Sequence, residues 1–288
     1  MTAESDRFPA KILLTGEFTV IDGGIALAFP SQSLYGFWDY KPGQIDHRLI
    51  PFARVLSKLE YLDSQRFLHD VDHGLSFNSS IPEGYGMGSS GALSAGVLKK
   101  YHTQKIDDLD MIQKRLADIE HYFHGTSSGF DPLISYSGQA ILVDQGMIKI
   151  LSEDQWKGNP FLNKFYLLDS MIPRESISPI DWYFAQKQIP SFLEIIPILN
   201  SLNKKLIDCL IRNDQVTGTV TMKQISQLQL DFFKPLIVDS VLEFWHKGLA
   251  ENTYYTKLCG KGGGGFYLVY LTQDEKAHSS MPPLLKIS

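Results

Sequence analysis

Cysteine is scarce in this sequence, and neither sign of charge dominates it. Only two cysteines, Cys209 and Cys259, occur among 288 residues. This count favours a reducing cytoplasm and leaves one disulfide as the alternative. Lysine and arginine number 27 against 32 aspartates and glutamates, so the formal net charge is −5. Because a basic surplus is needed to neutralise phosphate backbones, we expect no nucleic-acid partner.

Long hydrophobic runs are missing as well. No apolar stretch approaches the roughly 20 residues that cross a bilayer. The first ten residues, MTAESDRFPA, lack the basic, apolar and small-residue sections of a signal peptide. We therefore expect a soluble cytoplasmic protein without a membrane partner. A hydrophobic fraction of 43%, with 12% aromatic residues, nevertheless provides for a core and excludes an intrinsically disordered chain.

Strands and helices are mixed without a regular βαβ period, which favours an α+β fold. Strands are predicted at Ile12–Leu14 and Ile25–Phe29, around a turn at residues 22–24, and in YGFWDYK, GQAILVD, KFYLLDS and GFYLVYLT. Helices are predicted in LIPFARVLSKLEYL and in two proline-interrupted segments, SFLEIIPILNSLNKKLIDCLI and SQLQLDFFKPLIVDSVLEFW. The KGNP segment with Pro160 is the best candidate boundary and predicts two domains, residues 1–160 and 161–288.

The segment DDLDMIQKRLADIEHYF has the clearest helical periodicity. Its apolar residues recur at alternating steps of three and four: Leu109, Ile112, Leu116, Ile119 and Phe123. That spacing places them on one face of an amphipathic helix. Asp107 is the predicted N-cap, and the helix is expected to end near His124, where Gly125 can adopt the left-handed conformation.

The segment IPEGYGMGSSGALSAG has the composition of a phosphate-binding loop. Glycines at 84, 86 and 88 allow backbone N–H groups to converge on a ligand. A helix predicted from Ser89 to Tyr101 would add free N–H groups and the positive end of its dipole. A tight turn without a ligand is the alternative. A hydroxyl at Ser89 or Ser90 would either cap the helix or ligate Mg²⁺ carried by the phosphates.

Two further segments contain candidate site residues. In ADIEHYFHGTSSGFDPL, Asp131 precedes Pro132, which is favoured at the first helical position, so Asp131 is the predicted N-cap of a helix. Glu120 in the same segment, taken alone, is expected to face water. In KLCGKGGGGFYLVYL, four glycines from Gly262 to Gly265 lead into an apolar strand. Since a turn needs one or two glycines, four indicate a backbone that lies against a ligand or another loop.

Three segments, in order along the chain, resemble the three signature motifs of the GHMP kinases. PAKILLTGEFTVIDGGIALAFP resembles the first motif, PEGYGMGSSGALSAG the second and KLCGKGGGGFYLVYL the third. EHYFHGTSSGFDPLIS is most similar to the mevalonate kinase branch, which has a metal-binding glutamate before an HG-x-x-SG-x-D stretch. The resemblance implies a two-domain α+β fold, with an N-terminal domain of the ribosomal protein S5 domain 2-like type and a ferredoxin-like C-terminal domain. It also implies that ATP and substrate meet between these domains.

The resemblance implies a role for each matching residue. Lys11 and Asp131 match a catalytic pair, with Asp131 as the base toward the substrate hydroxyl and Lys11 near the γ-phosphate. Ser90 and Glu120 match the ligands of Mg²⁺. The residues expected to bind ATP are Glu83, Gly84, Gly86, Gly88, Ser89, Ser90 and Gly91. The residues assigned to the substrate are Glu17, His124, Gly262 and Gly263.

By this resemblance the chain is an ATP-dependent, Mg²⁺-requiring kinase that converts mevalonate to 5-phosphomevalonate for isoprenoid precursor synthesis. Phosphomevalonate kinase or another GHMP kinase is the nearest alternative. From a different class, a non-catalytic nucleotide- or metabolite-binding protein would share the fold, but it would not need the Lys11 and Asp131 pair. Diphosphomevalonate decarboxylase lacks the pairing of Glu120 with Asp131, and galactokinase and homoserine kinase fit poorly at the first motif. Lys261 stands where the family usually has a small residue. The resemblance leaves open whether the chain forms a homodimer.

Overall fold

The computed structural model describes residues 7–105, 107–173, 178–273 and 281–287. The strands in these ranges are β1 (Arg7–Thr15), β2 (Ala26–Tyr40), β3 (Leu75–Ser79), β4 (Ile141–Asp144), β5 (Met147–Ile150), β6 (Phe165–Asp169), β7 (Tyr254–Leu258), β8 (Phe266–Leu271) and β9 (Leu284–Lys286). The helices are α1 (Leu49–Leu56), α2 (Ser64–Asp72), α3 (Ser89–Tyr101), α4 (Leu109–His124), α5 (Phe130–Ser137), α6 (Pro179–Gln186), α7 (Pro190–Arg212), α8 (Gln215–Phe232) and α9 (Asp239–Glu251).

Two sheets organise the strands. The first has the order β1-β2-β4-β5, with β3 paired to β2. The register of β2 with β4 is antiparallel, with Ala26 opposite Val143. The second sheet has the order β7-β8-β6-β9, and Asp169 of β6 lies opposite Phe266 of β8 in antiparallel register. Antiparallel pairing of this kind, with helices inserted between strands, defines an α+β arrangement.

Packing divides the chain into two compact units. Among the described residues, the first unit contains those up to Lys11, those from Pro30 to Glu83 and those from Met87 to Gly138. The second unit contains Ile12–Phe29, Gly84–Gly86 and the described residues from Gln139 onwards. The three residues 84–86 of the glycine loop therefore group with the second unit, whereas their sequence neighbours group with the first. The domain boundary at residue 160 stays a prediction.

In the first unit, helix α3 packs against α4 and α5. Its small residues allow this close approach, because a Cβ atom added at Gly91 would lie only 3.0 Å from the backbone nitrogen of Pro132. Ala92 and Ala95 of the same helix are fully buried. The short side chains of α3 thus hold its N-terminus beside the first turn of α5, where the candidate site lies.

In the second unit, the strands β7 and β8 are buried along their whole length. Helices α8 and α9 pack against β7, and α7 packs against α8. Asn203 of α7 is fully buried and hydrogen-bonds both Thr15 and, at 3.1 Å from its side-chain nitrogen, the hydroxyl of Thr19. This polar contact fixes the segment after β1, which contains Glu17, to a long helix.

Several predicted elements are confirmed. Helix α3 spans Ser89–Tyr101 as predicted. The predicted apolar stripe lies on α4, where its three central residues Ile112, Leu116 and Ile119 are buried, whereas Leu109 is half-buried and Phe123 is exposed. Proline interrupts the segment 226–245 as expected, since α8 ends at Phe232 and α9 begins only at Asp239. None of the helices in the described ranges is both long and apolar enough to cross a membrane.

Other predictions about individual elements are wrong. The two strands predicted at Ile25–Phe29 and YGFWDYK are not separate but belong to one continuous strand, β2, which pairs with β4 at its start and with β3 at its end. Helix α7 is not interrupted at Pro197. Proline removes one intrahelical hydrogen bond to the carbonyl of Leu193, but Leu193 is 50% exposed, so water can satisfy that carbonyl. LIPFARVLSKLEYL is helical only over α1.

The two predicted N-caps are also wrong. Asp108, and not Asp107, caps α4, since its carboxylate accepts a hydrogen bond of 2.7 Å from the backbone N–H of Met111. Asp131 lies inside the first turn of α5, whose N-cap is Gly129. Gly129 takes this position with a φ of 72°, in the left-handed region that favours glycine. The side chain of Asp131 is therefore available for another partner.

Candidate functional site

Lys11 and Asp131 form an ion pair in the first unit. The Nζ atom of Lys11 lies 3.0 Å from Oδ2 of Asp131. Lys11 extends from β1 and is only 7% exposed, whereas the Asp131 side chain remains more accessible. A partly buried pair is screened less by solvent than a surface pair. The two residues predicted to form a catalytic pair are thus brought together across 120 positions of sequence.

Gly88 lies directly beside this pair. A Cβ atom added there would lie 3.6 Å from Cβ of Lys11 and 3.9 Å from Cβ of Asp131. The neighbouring Met87 carbonyl accepts a hydrogen bond of 2.8 Å from the backbone N–H of Lys11. This backbone hydrogen bond therefore connects the glycine loop to β1 at the position of Lys11.

The glycine loop reaches the start of α3 with its glycines in the left-handed region. Gly84, Gly86 and Gly88 have φ angles of 79°, 70° and 76°. Gly88 is the N-cap of α3, and no side chain caps that helix. The first N–H groups of any helix lack intrahelical acceptors, and no acidic residue lies in the first turn of α3. The N-terminus of α3 thus has free donors and a positive dipole end for an anion.

Ser90 and Glu120 contact each other, as predicted for a pair of metal ligands. The Ser90 hydroxyl donates to Oε1 of Glu120 at 3.1 Å and lies 3.0 Å from Nε2 of His124. The hydroxyl of Ser127 donates to the other carboxylate oxygen of Glu120. Since no side chain caps α3, the capping role that was the alternative for Ser90 is not observed.

Glu120 is buried, contrary to the expectation that it faces water. It is 4% exposed, on the side of α4 that packs into the first unit. Burial raises the pKa of Glu120 above its usual value, and the charge of Asp131 raises it further, while the hydrogen bonds from Ser127 and Ser90 oppose the shift. A buried carboxylate near a second carboxylate is a site where a positive charge would be stabilised.

The oxygen atoms at Glu120 and its neighbours are of the kind that bind a magnesium ion. In the described part of the chain, hydroxyl groups but no lysine or arginine partner contact this carboxylate. No cluster of three or more histidine, cysteine, aspartate or glutamate residues suited to a metal occurs in the described ranges. Mg²⁺ is typically held by one or two carboxylates together with phosphate oxygens and water. Ser90 and Glu120 therefore provide the kind of ligand set that this ion uses with a bound triphosphate.

Glu17 and Lys257 form a second ion pair, within the second unit. Lys257 is fully buried and Glu17 is 2% exposed. The Lys257 ammonium group donates to Oε1 of Glu17 and, at 2.6 Å, to the carbonyl oxygen of Leu258. Burial raises the pKa of Glu17, although the charge and the hydrogen bond of Lys257 oppose this effect. The pair joins the first motif to the first residue of the third motif.

The third glycine segment lies against other loops, which was one of its two predicted explanations. A Cβ atom added at Gly262 would lie 2.8 Å from the carbonyl oxygen of Leu236, and one added at Gly265 would lie 3.0 Å from the carbonyl oxygen of Tyr85. Gly263 instead faces open space, because no atom lies within 4 Å of its added Cβ. Lys261 is exposed on this segment. The close approaches explain why these positions contain no side chains.

Sequence reasoning missed Lys257 and Ser127. A signal for Lys257 was present, because a single charged residue inside the otherwise uncharged strand β7 is unusual unless it has a buried partner. No signal identified the partner, Glu17, which lies 240 positions away. Ser127 was one of several small polar residues in a loop, so only its contact with Glu120 distinguishes it.

Comparisons with known proteins show which proteins this chain is similar to. Residues 52–139 match the family model of the GHMP kinases N terminal domain. The structure is similar to that of L. major mevalonate kinase in complex with R-mevalonate, with a TM-score of 0.67 at 15% identity, over 96% of this chain and 89% of that one. It is also similar to Streptococcus pneumoniae phosphomevalonate kinase in complex with phosphomevalonate and AMPPNP, with a TM-score of 0.64 at 13% identity, over 94% and 93% of the two chains. The predicted two-domain α+β fold of the GHMP kinases is confirmed.

The relatives found by sequence are mevalonate kinases. The chain is 24% identical to the mevalonate kinase of Bos taurus, over 75% of this chain and 58% of the bovine protein. It is 24% identical to the mevalonate kinase of Pyrococcus abyssi (strain GE5 / Orsay), over 89% of this chain and 85% of the archaeal protein. The chain thus spans little more than half of the bovine relative. The predicted resemblance to GHMP kinases, and among them to mevalonate kinases, is confirmed.

Proposed function

We propose that this chain is an ATP-dependent kinase that phosphorylates the primary hydroxyl of mevalonate, giving 5-phosphomevalonate and ADP. The observation that carries the proposal is the grouping, in the first unit, of the Lys11–Asp131 ion pair with Ser90 and Glu120. The names of the relatives support mevalonate as the substrate. A cytoplasmic location and the domain division at residue 160 belong to the same proposal.

Phosphoryl transfer depends chiefly on positioning and charge neutralisation, because its transition state is loose. The N–H groups at the start of α3, preceded by the loop from Glu83 to Gly88, would bind the triphosphate. Ser90 and Glu120 would hold Mg²⁺, and this ion would neutralise charge on the phosphate oxygens when bound. Gly91 allows α3 to approach α5 closely, which keeps Asp131 near this helix end.

Asp131 would orient the substrate hydroxyl and accept its proton as the new bond to phosphorus forms. Lys11, which already contacts the Asp131 carboxylate at 3.0 Å, would compensate charge on the transferring phosphoryl group. The pair is suited to this task because Lys11 is nearly buried while Asp131 stays accessible. An exposed lysine would instead be free to turn into solvent.

The substrate-side residues divide into accessible and buried positions. His124 is exposed beside Ser90, and Gly263 faces open space, so both suit direct contact with a ligand. Gly262 and Glu17 are buried. We propose that these two act through the backbone that they hold in place. For Glu17, the means is the ion pair with Lys257.

The test is ADP release from ATP and Mg²⁺ with purified protein, measured separately with mevalonate, phosphomevalonate, diphosphomevalonate, galactose and homoserine. We expect turnover with mevalonate alone. Binding of ATP without turnover on any of these compounds would instead indicate the non-catalytic nucleotide-binding alternative. Turnover with phosphomevalonate and not with mevalonate would exclude the proposed substrate.

One observation favours phosphomevalonate as the second candidate substrate. Lys261 is an exposed cation on the third glycine segment, and a phosphorylated substrate needs additional positive charge. The variant Lys261→Ala separates the two candidates. If phosphomevalonate is the substrate, this variant lowers kcat/KM for it about tenfold or more, as expected for a lost charge-assisted contact. If mevalonate is the substrate, its kcat/KM changes little.

A further inference from the structure

Tyr85 stands between two glycines at the tip of the glycine loop. Gly84 and Gly86, on either side of the tyrosine, both have φ angles in the left-handed region that favours glycine. Residues 84–86 pack with the second unit. A large aromatic side chain between two glycines of this loop is not needed for binding phosphate through backbone N–H groups.

The backbone of Tyr85 lies against Gly265. A Cβ atom added at Gly265 would lie 3.0 Å from the Tyr85 carbonyl oxygen and 3.1 Å from its Cα atom. Gly265 itself is held by two backbone hydrogen bonds, since its N–H donates to the Ile172 carbonyl at 2.8 Å and its carbonyl accepts from the Ser170 N–H at 3.1 Å. The tip of the loop therefore rests on a fixed part of the second unit.

The side chain of Tyr85 meets two residues that are opposite each other in the second sheet. Its ring contacts the ring of Phe266 edge-on, with the centroids 5.2 Å apart. Asp169, which pairs with Phe266 in the register of β6 and β8, lies beside the hydroxyl of Tyr85. Burial, followed by the charge of Asp169, raises the pKa of that hydroxyl. We call these interactions the Tyr85 contact. It consists of Tyr85 together with Gly265 at its backbone, Phe266 at its ring and Asp169 at its hydroxyl.

We propose that Tyr85 is a positioning residue that holds the glycine loop in its nucleotide-binding conformation. A loop with three left-handed glycines samples many conformations when free, and ordering it upon binding costs conformational entropy. The Tyr85 contact orders the loop before the ligand arrives, which strengthens binding without any contact between the tyrosine and the ligand. This inference rests on the proposed function only for the identity of the ligand, ATP.

The test compares Tyr85→Ala with Tyr85→Phe, which keeps the ring on Phe266. Tyr40→Ala is the matched control, because Tyr40 is half exposed at the end of β2 and outside the candidate site. The measurements are the Kd of a Mg²⁺-bound, non-hydrolysable ATP analogue, the KM values and kcat, the thermal midpoint, and backbone hydrogen exchange over residues 81–91.

We expect Tyr85→Ala to weaken binding of the ATP analogue about tenfold, the size expected for losing an aromatic pair. KM for ATP should rise similarly, while KM for the acceptor and the thermal midpoint stay close to those of the wild type. Exchange of the loop amides should be faster. Tyr85→Phe should remain within about threefold of the wild type, and Tyr40→Ala should be unchanged.

Unchanged affinity and unchanged loop exchange in Tyr85→Ala would overturn the inference. A lower thermal midpoint together with a similar rise in both KM values would overturn it too, because that pattern indicates a general structural role. If the wild type does not bind the ATP analogue, the proposed function fails. The exchange measurement without ligand then still decides whether Tyr85 orders the loop.

Discussion

Lys257 donates a hydrogen bond to Glu17, and both side chains are removed from solvent. Removing one member of a buried ion pair leaves the other without compensation, which typically costs about 3–5 kcal/mol. We therefore expect Lys257→Met to lower the free energy of unfolding by about 3 kcal/mol. Urea denaturation near neutral pH measures this change.

The double variant Glu17→Gln/Lys257→Met is the control for that experiment. Because no buried charge remains in it, most of the lost stability should return. If the double variant were as unstable as Lys257→Met alone, packing of the lysine chain and not its charge would explain the loss.

Asp131→Asn should reduce turnover by about 10²–10⁴-fold, the usual contribution of a positioned proton acceptor. The affinity for MgATP should change little, since the glycine loop and α3 are unaltered. Asp46→Asn is the matched control, because Asp46 pairs with Arg48 at 2.9 Å elsewhere in the first unit. Steady-state kinetics measures the turnover, and calorimetry measures the affinity for MgATP. Near-normal turnover of Asp131→Asn would refute its role as the base.

Ser90→Ala should raise the Mg²⁺ concentration needed for half-maximal activity by about tenfold or more, because it removes the hydroxyl that we propose as a metal ligand. Ser94→Ala, one turn further along α3, is the matched control. The Ser94 hydroxyl is buried without a hydrogen-bond partner among the described residues, so its loss should not affect the metal requirement. Equal Mg²⁺ titrations for both variants would contradict the assignment of Ser90.

Glu120→Gln should stabilise the nucleotide-free protein while it impairs the kinase. Burial is the main cause of the raised pKa of Glu120, so its ionised form is costly in the fold. The favourable contribution of a carboxyl with a raised pKa is fully present below the unfolded pKa and is lost as the pH rises through the folded pKa. The neutral glutamine avoids this loss, and a gain of about 1 kcal/mol is expected at neutral pH.

Urea denaturation at several pH values tests this prediction for Glu120. The stability advantage of Glu120→Gln should be small near the usual glutamate pKa of 4.5 and should grow as the pH rises above it. Saturating MgATP should remove the advantage, because a bound cation stabilises the ionised carboxylate. A variant that is less stable than the wild type throughout would show that the Ser90 and Ser127 hydrogen bonds outweigh the cost of burial.

The sequence predicted more of the local structure than of the site contacts. The limits of α3 and the apolar face of α4 follow from short-range patterns and were predicted correctly. The N-cap of α4 was displaced by one residue, since Asp107 and Asp108 are chemically equivalent candidates and only the helix geometry selects between them. The continuity of β2 was missed because it depends on partner strands and not on residues 26–40 themselves.

By itself, the sequence determined where this protein has a glycine-rich loop and that a helix begins directly after this loop. The need for glycine at a positive φ angle is a local property, so the phosphate-loop pattern could be predicted from sixteen consecutive residues. Only the tertiary structure decided which charges are paired and which are buried. The contacts of Lys11 with Asp131, of Ser90 with Glu120 and of Glu17 with Lys257 join distant parts of the chain. Burial and electrostatic pairing depend on what the folded chain places around a residue, and no local pattern contains that information.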